Sequence, residues 1–233
     1  EAGADAWRGT AGPLHVADVS SRIEHYCRAY IEAGQQAGLP FNPDFNGADQ
    51  EGVGYYQFTM KDSRRMSAAR AFLRPAMKRP NLRVETGAHV LRILFEGKRA
   101  TGVVYRQGGR EVIVKAGREV ILSGGAVNSP QVLMLSGIGA GDDLGSHGLT
   151  VVHDNPNVGR HLQDHLGSGY TFGVTHPTIN ERLHSWPAKL LSGAQYLLTR
   201  RGPLSLSINH GGGFFRTSPN RPRPNMQLYF QAM

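Results

Sequence analysis

Apolar residues near the start of the chain recur with the period of an amphipathic helix. Ser21 and Glu24 stand three residues apart immediately before this run, which is the spacing of a capping box, so we expect a helix that begins here and ends at Gly38. A second helix is predicted from about Ser67 to the neighbourhood of Pro75. The positions that carry the first helical period are Ile23, Tyr26, Cys27, Tyr30 and Ile31.

The pattern changes to short runs rich in Val and Ile between residues 88 and 117. Three runs, 88–97, 99–106 and 110–117, are separated by glycine-containing pairs at 97–98 and 108–109. Alternating or β-branched runs joined by such turns are typical of antiparallel strands. We therefore predict a three-stranded meander.

The run at residues 120–122 is different, because Val, Ile and Leu are consecutive there. This pattern predicts a strand buried on both faces of a parallel sheet. Gly124 and Gly125 follow it as a turn, and Ser129 with Pro130 is predicted as the N-cap and first residue of a helix ending at Gly137. Backbone without side chains at the carboxyl end of a parallel strand predicts a ligand site, since open α/β sheets bind ligands there.

The remainder of the chain predicts a further mixture of strands and one long helix. Because the sequence starts at Glu1 rather than Met and stops inside a strand-like run, we expect both ends to be cut from a longer chain. Strands are expected at 150–156, 167–176, 211–216 and 225–233, and a helix at 186–203.

Composition and charge fit a globular protein. The 233 residues are 39% apolar with a formal net charge of +8. Basic residues occur in short pairs without interleaved aromatic residues, which favours solvated arginines over a nucleic-acid surface. No apolar run reaches the roughly 18 residues that a membrane-spanning helix needs. We expect a cytoplasmic protein, with peripheral membrane association as the alternative.

Cysteine and histidine residues provide no metal site by their spacing. Cys27 is the only cysteine, which excludes an intrachain disulfide, and its place on the apolar face of a helix predicts an inert core thiol. His161 and His165 have an i, i+4 spacing but lack an evident third ligand. For Asp164 beside His165 we expect a structural hydrogen bond.

The stretch GAVNSPQVLMLSGIG, residues 125–139, resembles the second sequence signature of the glucose-methanol-choline (GMC) oxidoreductases. Together with other stretches it resembles the branch of choline dehydrogenases and alcohol dehydrogenases, and the likeness runs through essentially the whole chain. The supporting stretches are 72–82, 92–105, 117–125 and 157–166.

This resemblance implies a fold of mixed α/β and α+β class. The chain would contain part of an FAD-binding doubly wound sheet with a β-meander, and part of a substrate domain built on an antiparallel sheet. Residues 1–60 would form a mixed segment bridging to the substrate domain, residues 61–148 part of the FAD-binding domain, and residues 149–233 part of the substrate-binding domain.

The resemblance also implies roles for four residues. The backbone of Val90 matches the position that hydrogen-bonds the adenine ring of FAD, and Ser123, Gly124 and Gly125 match the strand end that passes close to the cofactor. The alternative interpretation makes them an ordinary strand valine and an ordinary strand-to-helix turn. No catalytic residue is assigned within the chain, because the family's catalytic histidine and its G-x-G-x-x-G fingerprint are expected outside this sequence.

The implied reaction is FAD-dependent dehydrogenation of an alcohol, choline-like or another primary alcohol, in class EC 1.1. A hydride would pass from the carbinol carbon to flavin N5, with an electron acceptor of unidentified kind. The segment alone is expected to be inactive. Three alternatives stay open: an oxidase of the same family, a lyase of the same family, and a basic binding module without redox activity.

Overall fold

The structure is a computed structural model that describes residues 5–232. Glu1 and Met233, on which the expectation of cut ends rests, lie outside the described residues.

A π-helical turn, Ala69–Leu73, leads directly into the second helix. The helices are α1 (His25–Gln36), α2 (Arg74–Ala76), α3 (Gly125–Leu135), α4 (Gly141–Ser146), α5 (Ile179–Arg182) and α6 (Trp186–Thr199). The strands are β1 (Gly52–Tyr55), β2 (Met60–Lys61), β3 (Arg64–Arg65), β4 (His89–Glu96), β5 (Arg99–Gln107), β6 (Arg110–Lys115), β7 (Ile138–Gly139), β8 (His153–Asp154), β9 (Asn209–Phe215) and β10 (Met226–Gln231).

The chain divides into two compact units. The first contains the described residues up to Leu82 together with those from Thr171 onward, and the second is Arg83–Tyr170. These divisions differ from the predicted breaks after residues 60 and 148, because β9 pairs with β1 and so returns the end of the chain to its beginning. The assignment of cofactor and substrate roles to the predicted ranges stays a prediction.

The first unit is built on a three-stranded antiparallel sheet in the order β1-β9-β10. Helix α1 packs on this sheet, and apolar burial between the two provides the core. The predicted strands at 211–216 and 225–233 are confirmed as β9 and β10, within the described residues. The buried core residues are Val19, Ile23, Cys27, Ile31, Val53 and Met60.

Three consecutive glycines let the central strand β9 approach its neighbours closely. A Cβ atom on Gly211 would lie 2.8 Å from the Sγ atom of Cys27, and one on Gly213 would lie 2.6 Å from the backbone oxygen of Gly52. At Gly212 a Cβ atom would collide with the Leu228 carbonyl oxygen. Only glycine therefore fits along this part of the strand.

Helix α1 is confirmed, but its predicted start is wrong. Ser20–Arg22 forms a 3₁₀ turn, and α1 begins at His25 with Glu24 as an N-cap that makes no side-chain capping bond. The extended backbone at Ile23, which is buried, separates the turn from the helix. Burial of this residue outweighed the local capping preference, which is worth only about 1 kcal/mol.

The long helix predicted at 186–203 is confirmed as α6, with a Ser185 side-chain cap. It ends earlier than predicted, at Thr199, where Arg200 follows as a C-cap in the left-handed conformation. The strand predicted at 167–176 is wrong, since the structure contains no strand there. From the stretch 150–156 only the two residues of β8 form a strand, which pairs in parallel with β7.

The second unit contains the predicted meander. Strands β4, β5 and β6 form one antiparallel sheet in that order, with turns at 97–98 and 108–109. The most buried apolar residues of this sheet are Val104 and Ile93, at 1% and 7% exposure. This part of the predicted fold is confirmed.

The predicted buried strand at 120–122 is wrong. No strand is present between β6 and α3, and the Ile121 side chain is 77% exposed. A strand requires a neighbour to pair its backbone N–H and C=O groups, and none of the described strands pairs with these residues. The apolar run therefore has no regular secondary structure, and none of its three residues is buried in this unit.

Helix α3 begins five residues earlier than predicted. It starts at Gly125, so Ser129 is not the N-cap and Pro130 lies inside the helix. The glycine pair makes this early start accessible, because Gly125 adopts a φ of +86° that other residues avoid. The predicted end is confirmed, since Gly137 follows the helix with a φ of +85°.

Candidate cofactor site

Gly125, the first residue of α3, combines a left-handed backbone with free space. Its φ is +86°, and a Cβ atom built on it would have no neighbouring atom within 4 Å. The residue is exposed. Glycine is needed here for its backbone conformation, and the open space leaves that backbone accessible to a ligand.

Gly124 precedes it as the N-cap of α3, with ordinary φ and ψ angles of −80° and 0°. A Cβ atom on Gly124 would lie 3.3 Å from the Ser129 Oγ atom, which is close but tolerable. Ser123, just before it, is exposed. Among the described residues no side chain caps the first turn of α3, so its backbone N–H groups remain free to bind an anion.

Ser136 attaches the other end of α3 to the meander. Its buried hydroxyl donates to the Val132 carbonyl at 2.5 Å and accepts the Ile93 N–H of β4 at 2.8 Å. This bond holds α3 against β4. The role of Ser136 was not predicted, although a serine inside the apolar run LMLSGIG is a signal for a buried hydrogen bond.

Val90 lies on β4, opposite Tyr105 of β5. The pairing register shifts between Val90 and Arg92, which indicates a β-bulge at this point. In the described part of the chain β4 pairs only with β5, so it is an edge strand and its outer backbone groups are available. Val90 and the Ser123–Gly125 segment thus belong to two elements of one unit that pack together, and their roles toward a cofactor stay predictions.

Cys27 and Asp164 behave as the sequence indicated. Cys27 is fully buried, and burial raises the pKa of its thiol to about 11, so the nucleophilic thiolate is absent near neutral pH. Asp164 accepts a hydrogen bond from the backbone N–H of His165 at 2.8 Å, while His161 bonds Asn157. Among the described residues no group of three potential ligands could hold a metal ion.

Comparison with known proteins identifies the family. Residues 2–167 match the family described as GMC oxidoreductase. The chain belongs to the GMC oxidoreductases. This confirms the resemblance carried by residues 125–139 and, with it, the identification as a flavoprotein oxidoreductase.

Two curated GMC relatives are similar over nearly the whole chain. An alcohol dehydrogenase [acceptor] from Pseudomonas putida is 44% identical over 227 residues, covering 96% of this chain and 41% of that protein. The mitochondrial choline dehydrogenase of Homo sapiens is 43% identical over 230 residues, covering 99% of this chain and 39% of that protein. The chain thus spans about two fifths of the length of these relatives.

A solved structure supports the fold. An FAD-dependent oxidoreductase from Chaetomium thermophilum matches with a TM-score of 0.76 and 26% identity, covering 89% of this chain and 37% of that chain. The predicted mixed fold of a GMC protein is thereby confirmed. The family match and this structure also confirm FAD as the cofactor of the family.

The described residues fit such a cofactor. The free N–H groups at the start of α3 suit a phosphate, and the open space at Gly125 would be filled by any larger side chain.

Among the described helices, none combines the length and the apolar character that a membrane span requires.

Proposed function

We propose that this GMC protein is an FAD-dependent dehydrogenase of class EC 1.1 that oxidises an alcohol, choline-like or another primary alcohol. The observation that carries the proposal is the uncapped start of α3 at exposed Gly124 and Gly125, where the sequence signature of the family begins. Because the chain spans about two fifths of its relatives, the activity is proposed for the complete enzyme. The segment alone is expected to be inactive.

FAD, when bound, supplies an acceptor for the hydride at its N5 atom. The role of this chain would be to bind and orient the cofactor. The N–H groups of the first turn of α3 would face a phosphate, and the backbone groups of Val90 would form hydrogen bonds with the adenine ring. A helix N-terminus contributes about 0.3 to 1 kcal/mol toward an anion, so several contacts must act together. The alcohol proton would pass to a histidine base expected outside this sequence.

The test is the visible spectrum of the purified full-length protein. We expect flavin absorbance that bleaches without oxygen when choline or another primary alcohol is added, followed by turnover with an artificial electron acceptor. Hydrogen peroxide formation in air at the same rate would instead identify an oxidase. Bound flavin that no alcohol bleaches would favour a lyase, and a colourless protein with salt-sensitive nucleic-acid binding would favour a binding module.

A cytoplasmic location, with peripheral membrane association as its alternative, stays a prediction. Cell fractionation tests it directly. Recovery in the washed membrane fraction would contradict the cytoplasmic assignment and favour the alternative.

A further inference from the structure

A cavity of about 560 Å³ opens in the first unit between the start of α1, helix α5, the end of α6 and strand β9. Its volume lies within the range of small-molecule sites. Its walls carry three arginines and a histidine, together with apolar side chains. All of them belong to the first unit, whereas the residues assigned to the flavin belong to the second.

His210 is a buried side chain without a partner in this cavity. It is 2% exposed, and neither ring nitrogen has a hydrogen-bond partner of normal geometry. The ladder between β9 and β10 pairs Gly211 with Phe230 and Asn209 with Gln231, so His210 is skipped by a bulge. Bulges re-aim side chains, and a buried imidazole without partners on a cavity wall indicates a missing ligand.

The imidazole of His210 is neutral near pH 7. Burial lowers its pKa, while the nearby Ser207 carbonyl and the charge of Glu24 only partly oppose this. A neutral imidazole carries one N–H donor and one acceptor nitrogen. It therefore suits a hydroxyl group, which can accept from one group and donate to another.

The charge of the cavity wall favours an anion. Arg182 forms an ion pair with Glu24 at 3.3 Å, whereas Arg22 and Arg201 have no ion-pair partner among the described residues. This leaves two guanidinium groups unpaired beside the cavity. Guanidinium groups bind carboxylates with two parallel hydrogen bonds.

A tight turn holds these arginines in place. Asp62 and Ser63, between β2 and β3, both have left-handed backbones. The Ser63 hydroxyl accepts a hydrogen bond from Arg22 at 3.1 Å and donates one to the Arg200 carbonyl at 2.8 Å. The Ser63 carbonyl also accepts the Tyr196 hydroxyl at 2.9 Å. One turn therefore fixes both Arg22 and the end of α6, which precedes Arg201.

We propose that this cavity binds a small 2-hydroxycarboxylate, with the carboxylate on Arg22 and Arg201 and the hydroxyl on His210. The side chains of Ile179 and Leu206, which also line the cavity, would contact an aliphatic tail. A singly charged carboxylate suits the site better than a phosphate dianion, because Glu24 repels additional negative charge. The site does not depend on the proposed dehydrogenase activity.

Isothermal titration calorimetry of the purified protein with 2-hydroxyisocaproate tests the site. We expect saturable one-to-one binding. It should weaken about ten-fold for 4-methylpentanoate, which lacks the hydroxyl, and vanish for 2-hydroxyisocaproamide, which lacks the charge. Equal binding of the amide, or displacement by equimolar inorganic phosphate, would overturn the assignment.

Variants locate the binding. Arg201→Gln and His210→Gln should each weaken binding of 2-hydroxyisocaproate about ten-fold, while Arg223→Gln, an exposed arginine outside the cavity, should leave it unchanged. Circular dichroism checks that each variant folds. If His210→Gln is unfolded, the exposed Arg201→Gln still decides the question, and unchanged binding in that variant would contradict the proposal.

Discussion

Strand β9 and the start of α3 both contain adjacent glycines, but for opposite physical reasons. In β9 the glycines are surrounded, so that a Cβ atom on Gly213 would come within 2.6 Å of the backbone of Gly52. At the start of α3 a Cβ atom on Gly125 would touch nothing, and the residue is glycine because its φ is +86°. The first region shows glycine serving the core, and the second shows glycine leaving a backbone accessible.

The largest effect is expected from Gly212→Ala in β9. A Cβ atom there would collide with the Leu228 carbonyl oxygen and the Tyr56 hydroxyl, so the free energy of unfolding should fall by about 3 kcal/mol. Denaturant unfolding measures this change. The matched control is Gly193→Ala in α6, which has open space and no left-handed backbone, and should change stability by about 1 kcal/mol or less. Equal effects at both sites would show that β9 is not closely packed.

Gly125→Val should have a smaller effect on stability and a clear effect on the cofactor. A branched residue at positive φ costs about 2 kcal/mol, and its side chain would occupy the space assigned to the flavin. We expect a lower molar ratio of FAD to protein after purification. Gly145→Ala, an exposed helical site with open space, is the control and should keep its flavin. An undiminished flavin content in Gly125→Val would contradict the proposal that the backbone of Gly125 lies against the cofactor.

Gly124→Ala distinguishes a glycine needed for stability from a glycine needed for cofactor access. Its φ of −80° suits any residue, and a Cβ atom 3.3 Å from the Ser129 Oγ atom should cost less than about 1 kcal/mol of stability. Loss of flavin without loss of stability would show that the cofactor passes directly over this backbone. If thermal unfolding and flavin content both match the parent protein, close approach at Gly124 is contradicted.

The smallest effect is expected from Val90→Ile on β4. The side chain is 39% exposed, so one added methylene should change the free energy of unfolding by less than about 0.5 kcal/mol. Because the proposed adenine contact uses the backbone, flavin content should also be unchanged. A large loss of flavin in this variant would show that the side chain rather than the backbone faces the cofactor.

Local patterns predicted the elements that depend on neighbouring residues in the chain. The meander β4-β5-β6 followed from β-branched runs and glycine turns, and α1 and α6 from helical periodicity. The resemblance of residues 125–139 to a known family signature led to the family and to FAD.

The run at 120–122 shows where such patterns fail. Three apolar residues in sequence suit a buried strand, yet they form none here, because no described strand supplies the ladder partner. The start of α3 was displaced in the same way: the serine and proline at 129–130 fit a helix start, but the chain enters the helix at Gly125.

By itself, the sequence determined the meander, the two longest helices and the family signature, because these rest on propensities and periods within short stretches. Only the tertiary structure decided that the end of the chain pairs with β1, that Ser136 bonds β4, and that His210 is buried without a partner. The physical reason is that these features arise from contacts between residues far apart in the chain. A local sequence pattern does not determine which distant residues will be in contact.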